Sequence, residues 1–512
     1  MPEQLRSLIY IVLLALIAFF FAKKITASIV SEQQFNRWRN TWIALTFIAF
    51  LAGNFWVYAI LCALLLWYVG KREQNAIAMF FVLLFALPRI SNQIPGMGIV
   101  NFLFNIDYVS ILSFTVLLPA YLSLRSERET APFLTYWADK LLLAYMLLDV
   151  ALLMRDTTVT DAMRAGVSNF TDIFLPYYVA SRGIKTLQQF KEVMAAFVIA
   201  AMVAAMHAMF EYSRFWLLYV NLKNYLGVAW EMGGYLGRGD SLRALASLGQ
   251  PIALGYIMVI ALGSYLFISH FVKEKWLKIL GLLLILGGLY APLSRGPWIG
   301  ALLLVILYIV ISPKAIKRLT IMAVSAAMII PIIASMPIGK KVMDMLPFVG
   351  KVDAENVDYR VRLLDAAYTV FNRYPFFGSV KYREELAELG MVQGEGIVDV
   401  VNTYLDVVLE YGLVGFVLYM GFFTIIIATI ITGIKKIKNK QSDIHLLGRV
   451  LFANQIAILV TITSVSSILV IPVVYWAVAG LAFSFLRIAQ GFVVIKEDIN
   501  ALPTIRLANN SS

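Results

Sequence analysis

Long apolar runs alternate with short polar breaks along this chain, and the pattern predicts a bundle of membrane helices. A helix needs about 20 apolar residues to cross a bilayer. Helices are predicted near residues 5–22, 41–53, 54–70, 76–90, 107–124, 138–154, 165–181, 190–211, 251–271, 276–291, 293–311, 316–334, 412–433, 447–469 and 472–490. The 41–70 run is too long for one straight span, and Gly53-Asn54 offers a turn that makes it a hairpin. One break is far longer than the others, a polar island at about 337–402. Loops beyond about 15 residues between packed elements are usually functional or disordered. Here Tyr359, Val361, Leu364, Ala367, Val370 and Phe371 recur at roughly helical spacing, which predicts a folded amphipathic helix. Asp353 or Asn356 can cap its start, and Pro375 with Gly378 ends it. A short acidic helix is expected around 384–388.

Composition supports this reading. The 512 residues are 61% hydrophobic and 14% charged, whereas soluble domains carry about 25% charged residues. The expected fold class is an all-α polytopic membrane protein with about 12–15 transmembrane helices and a large, partly helical outer loop. Five regions are expected: N-terminal helices at 1–240, core helices carrying outer-face arginines at 241–334, the loop at 335–402, C-terminal helices at 403–495, and a cytoplasmic tail at 496–512. The net charge of +12 requires no nucleic-acid partner, because Lys and Arg collect in cytoplasmic loops. Clusters at Lys23-Lys24, Lys71-Arg72, 125–140, 182–191, 273–278, 314–318 and 435–440 all fall on one side of the predicted bundle. Between residues 340 and 402 there are eight basic and ten acidic residues, so the island has the opposite sign and falls on the outer side. A second outer segment spans 211–250 and holds Arg214, Arg238 and Arg243. Lys23-Lys24 stand where a leader peptide would need small residues, so the first helix is read as retained. The single cysteine, Cys62, has no partner for an internal disulfide and is read as helix packing.

The chain has no Walker loop, dinucleotide fingerprint, HExxH or Cys/His metal spacing, and no metal or other cofactor is expected. His207, His270 and His445 lie away from the island and are read as packing residues. The candidate chemistry is cationic and on the outer face. Arg295 sits in "APLSRGPWIG" between two apolar helices with almost no loop, and Arg243 sits in "SLRALASLGQ" just before a helix start at Pro251. Arg360 and Arg362 lie in the island helix, but two residues apart they cannot share one face. Ionisable groups at membrane depth are costly and default to a functional reading. The arginine fork suits phosphate oxygens, so arginines converging beside lipid suit a lipid-linked diphosphate. Such a donor already has a good leaving group, and the remaining need is a carboxylate or histidine to take a proton from an acceptor hydroxyl. The island aromatics Tyr359, Tyr374, Phe376, Phe377 and Tyr382 suit either stacking on sugars or anchoring at the interface.

The order "RALASLGQPIALGY", "SRGPWIG", "RVRLLDAAYTVFNRYPFFGSV" and "VNTYLDVVLEYGLVGF" resembles the O-antigen ligase and polysaccharide polymerase superfamily over about residues 240–430. The resemblance implies a GT-C-like inner-membrane glycosyltransferase with its active site facing the periplasm. It implies undecaprenyl-diphosphate-linked glycans as substrates, with membrane lipid and other polysaccharide-assembly proteins as further partners. It places the family's diphosphate arginines on Arg243, Arg295 and either Arg360 or Arg362. The family's usual His-Asn pair reads Val401-Asn402 here, so the upstream carboxylates Asp399 and Glu395 become the candidate bases. Asn402 and Tyr404 then form the motif tying loop to helix. The missing histidine favours polymerisation of repeat units of an O-antigen, capsule or exopolysaccharide over ligation to lipid A–core. Two other classes compete, a transporter or flippase of lipid-linked glycans and a non-catalytic scaffold. A lipid-side cavity where arginines and a carboxylate converge separates an enzyme from a transporter, whose cavity would lie at mid-membrane.

Overall fold

The computed structural model describes residues 2–96, 98, 100–228, 233–335, 354–392, 396 and 398–501. Each of the fifteen predicted helices has a counterpart among them, running Glu3–Thr26, Glu32–Leu51, Phe55–Gly70, Ala76–Leu84, Tyr108–Ser126, Trp137–Asp156, 159–182, Leu187–Arg214, Pro251–Ile268, Lys275–Tyr290, Arg295–Val310, Ala315–Ser335, Thr403–Lys436, Asp443–Thr461 and Ile471–Ala501. Eight of them are long and apolar enough to cross a membrane by length and composition. This is a polytopic helical membrane protein. The Gly53-Asn54 turn is present: Gly53 takes φ +66°, and the Asn54 side chain caps the next helix by accepting from Trp56 N at 2.8 Å.

The helix Leu187–Arg214 forms the middle of the bundle, with 83% of its apolar window buried, whereas Ala315–Ile332 has none of its window buried and lies at the periphery. Lipid supplies no hydrophobic drive between helices, so close approach depends on small residues. A Cβ on Gly255 would stand 2.7 Å from Pro297, one on Gly300 2.1 Å from Thr461 Oγ1, and one on Gly296 2.0 Å from Ser464 Oγ. These glycines let Pro251–Ile268, Arg295–Val310 and Asp443–Thr461 meet closely at the outer end. Two arginines within the bundle are paired with carboxylates. Arg182 meets Asp139 at 2.6 Å with both side chains fully buried, and Arg89 bonds to both Asp107 and Asp172.

Two features were not predicted. An antiparallel ribbon joins Ser91–Pro95 to Phe102–Asp107. In addition, Tyr108–Ser126 and 159–182 each contain a π-helical turn, at Ser113–Leu117 and Phe170–Phe174. A proline follows each turn two residues later, where its missing N–H breaks regular pairing.

The island contains the two predicted helices, Ala354–Arg373 and Tyr382–Glu388. Asp353 lies outside the described residues, and Asn356 falls inside the helix rather than before it. The island has a small core of its own: Tyr359, Leu363, Ala366, Ala367 and Val370 pack with Tyr382, Leu386, Met391, Val400 and Leu409. Val361 and Leu364 do not belong to it. Both are exposed, because the helix carries a second apolar side that periodicity alone does not distinguish from the first.

Candidate functional site

The outer-face site begins with the turn at residues 291–294 and the helix that opens at Arg295. Arg238, Arg243 and Ala244 all bond to this turn. Arg243 donates from Nε to Pro292 O at 3.2 Å and from Nη2 to Ser294 Oγ at 3.1 Å. Arg238 donates to Leu293 O. Ala244 N bonds to Ala291 O at 3.1 Å. The segment carrying both arginines is a short ribbon, Gly237–Arg238 paired with Ser241–Leu242. One backbone bond and three side-chain bonds therefore hold Arg238 and Arg243 beside Arg295, and Arg243 N to Leu236 O at 2.9 Å closes the ribbon on itself.

Glu211 orders this segment. It is fully buried, and its carboxylate accepts from Leu218 N at 3.0 Å, Leu245 N at 2.9 Å and Ala246 N at 2.8 Å. One acidic side chain thus satisfies three backbone donors in a loop that would otherwise bury them unpaired.

The island contributes from the other side. Arg360 is open to solvent on its outer edge. Its guanidinium value is nonetheless lowered from the ordinary one, mainly by desolvation, with the Asp399 charge opposing and the Arg295 charge adding to the shift. Arg360, Asp399 and Arg295 therefore share one electrostatic neighbourhood. Asp399 is half-buried and held at two points. Its Oδ1 accepts from Ser466 Oγ at 2.7 Å, its carbonyl accepts from Tyr359 Oη at 3.1 Å, and Tyr359 also bonds to Met391 O at 3.2 Å. Tyr359 is thus a strut of the island core, and Tyr382 is likewise buried; neither is a sugar platform.

The residues following Asp399 tie the island to the bundle. Asn402 caps Thr403–Lys436, its Oδ1 accepting from Tyr404 N at 3.0 Å and Leu405 N at 3.3 Å. Tyr404 Oη donates to Leu459 O at 2.8 Å. Thr403 bonds to Val465 O through N at 3.1 Å and Oγ1 at 2.7 Å. Arg362 is exposed and lies about 200° around the helix from Arg360, so it points away from this neighbourhood. Glu395 lies outside the described residues.

Sequence reasoning did not single out Arg238, Glu211 or Ser466 as site residues. The run "TITSVSS" gave one signal, because it sets several hydroxyls at the outer end of an apolar helix. A cavity of about 360 Å³ opens at the opposite end of the bundle, among Trp67, Lys71, Asn75, Thr115 and Lys185. It lies with the basic loops and away from Arg295.

Residues 280–420 match the Wzy_C family model, described as O-antigen ligase. The matched stretch starts before Arg295, includes Arg360 and Asp399, and ends beyond the cap at Asn402. No curated protein matches the chain.

Proposed function

We propose, from a chain whose residues 280–420 match the O-antigen ligase family, that it transfers glycan from a lipid-linked diphosphate donor at the outer face of a bacterial inner membrane. The finer reading is a polymerase of undecaprenyl-diphosphate-linked repeat units. The observation that carries it is the convergence of Arg238 and Arg243 on the turn that opens the Arg295 helix, with Asp399 held by Ser466 and the charges of Asp399 and Arg295 both acting on Arg360.

The geometry supports a division of labour. The diphosphate of the donor binds to Arg295 and Arg360, with Arg243 and Arg238 beside them. The acceptor is a sugar hydroxyl of a second lipid-linked unit, placed near Asp399. Its oxygen attacks the anomeric carbon as the bond from that carbon to the diphosphate oxygen breaks. The proton passes to Asp399, and the leaving diphosphate keeps the electron pair, its charge balanced by the arginine forks. Ser466 and Tyr359 fix the orientation of the base, as preorganisation requires. Val401 stands where the family's histidine is expected, which leaves the proton to a carboxylate and favours polymerisation over ligation.

The test uses purified protein with undecaprenyl-diphosphate-linked oligosaccharide, and products are resolved by size. A ladder of longer lipid-linked glycans supports the polymerase. Transfer only after a lipid A–core acceptor is added makes the protein a ligase with a carboxylate base. Failure of both reactions, with the donor still bound, overturns the enzyme reading and favours transport.

A further inference from the structure

The island carries an apolar surface that its own core does not use. Phe376 is 63% exposed and Tyr368 68%, and Phe377, Val361 and Leu364 are also exposed. Val361, Leu364 and Tyr368 recur at i, i+3 and i+7, which places them on one stripe of Ala354–Arg373. A large exposed apolar surface beside polar residues marks a contact with protein or membrane.

Where the turn meets the bundle identifies the occupant. The helix Thr403–Lys436 breaks at Gly412, which takes φ +64° and ψ −165°. Immediately beyond the break, Leu413 N bonds to Pro375 O at 2.8 Å and Val414 N to Phe376 O at 3.1 Å. The Phe376–Phe377 turn is thereby fixed at the level of residues 413 and 414. From Leu413, Val414 and Val417 an exposed stripe continues through Thr424, Ala428 and Thr432, all on one side of the helix at 100° per residue. Thr424 and Thr432 turn their hydroxyls back to Met420 O and Ala428 O, each at 2.7 Å, as side chains facing hydrocarbon must. The 22 residue steps from Leu413 to Lys435 rise about 33 Å, close to the roughly 30 Å of a bilayer's hydrocarbon. Lys435 and Lys436 close the other end. Leu413 therefore stands at the outer edge of the hydrocarbon, and Phe376 and Phe377 stand with it.

We propose that the Phe376–Phe377 turn and the Val361/Leu364/Tyr368 stripe are seated in outer-leaflet lipid, at the boundary of the acyl chains. The island is then a membrane-seated element rather than a free periplasmic domain. Arg360 lies on the same helix, between the island core and the stripe, so lipid seating sets it at headgroup depth. That consequence rests on the reading of the diphosphate site, but the seating itself does not.

Cys62 is the one cysteine and is buried, so a Cys62→Ala background permits single labels. Full-length protein with Phe376→Cys, Leu364→Cys, Val417→Cys or Thr369→Cys is nitroxide-labelled and reconstituted into phosphatidylethanolamine/phosphatidylglycerol vesicles. Collision with oxygen and with a water-soluble nickel chelate is then measured. The expected result is that positions 376 and 364 favour oxygen as position 417 does, while position 369 favours nickel. If either 376 or 364 matches 369, the proposal is overturned. Nickel access at 376 that is lost only on adding lipid-linked oligosaccharide also overturns it, by making the turn a sugar platform. Phe377→Cys replaces Phe376→Cys if the latter fails to fold, and transfer activity is followed separately, so loss of the site reading leaves this result intact.

Discussion

The island meets the membrane helices in two places that are built differently. One is a backbone lock around residues 375–380. Ser379 N bonds to Leu409 O at 2.9 Å, Arg155 donates to Gly378 O at 3.0 Å, and Val380 N bonds to Asp156 Oδ2 at 3.4 Å. The chains cross so tightly that a Cβ on Gly412 would lie 2.4 Å from the Phe376 backbone, and one on Gly378 2.5 Å from Glu410. Beside it, Tyr382 donates to Asp406, and Arg383 bonds to Tyr382 Oη at 2.7 Å and Asp406 Oδ1 at 3.1 Å. Burial pushes the Tyr382 phenol upward, and the Asp406 and Glu410 charges push it further. The other meeting place is at Asp399, where the Ser466 hydroxyl donates to Oδ1 at 2.7 Å, Thr403 bonds to Val465 O, and the charges of Asp399 and Arg295 both act on Arg360. The first place crosses backbone against backbone and carries no exposed charge of the site, whereas the second sets long charged side chains beside a tethered carboxylate. The island is thus anchored at both ends and chemically available at one.

This contrast can be broken at either end. The largest effect is expected from Asp399→Asn. Loss of a general base costs about 10²–10⁴-fold in rate, and transfer assays should show it with folding and donor binding retained. Arg295→Ala should lower product strongly, though less than Asp399→Asn, while membrane insertion and the elution profile stay native; normal glycan chain lengths in cells carrying it would count against the site. Gly412→Ala comes next, since its φ of +64° and ψ of −165° form a backbone conformation essentially reserved for glycine, which costs another residue about 1–3 kcal/mol before its backbone clash is counted. It should lower activity by displacing the island and raise proteolysis at residues 375–380, an effect that Asp399→Asn should not show. Tyr382→Phe removes two hydrogen bonds to charged groups, Asp406 and Arg383, each worth about 1.5–3 kcal/mol, and should loosen the same end with smaller loss of activity. Arg362→Ala should change transfer less than about twofold, in line with the near-neutral behaviour of exposed surface positions.

Much of the bundle was legible in the sequence because a membrane helix is specified by length and apolarity, both of which are local. The Gly53-Asn54 turn and the two island helices were also local signals. What was missed depends on tertiary placement. Gly412 was read as a helix start, but the run begins at Thr403 and the glycine is a kink required by the crossing with Phe376. Val361 and Leu364 were counted with Tyr359, Ala367 and Val370 in one helical periodicity, which identifies apolar residues without saying which side is covered. Ser466 and Glu211 act through partners 67 and 34 to 35 positions away, which no sequence window spans. The arginines were easier to find, since a guanidinium beside apolar helices is conspicuous anywhere in the chain.

The most direct test is single-turnover transfer by wild type and Asp399→Asn, with donor binding measured on the same preparations. The account predicts donor affinity within a few-fold of wild type and transfer slower by about 10²-fold or more. Transfer at the wild-type rate would contradict the placing of the proton on Asp399, and with it the site.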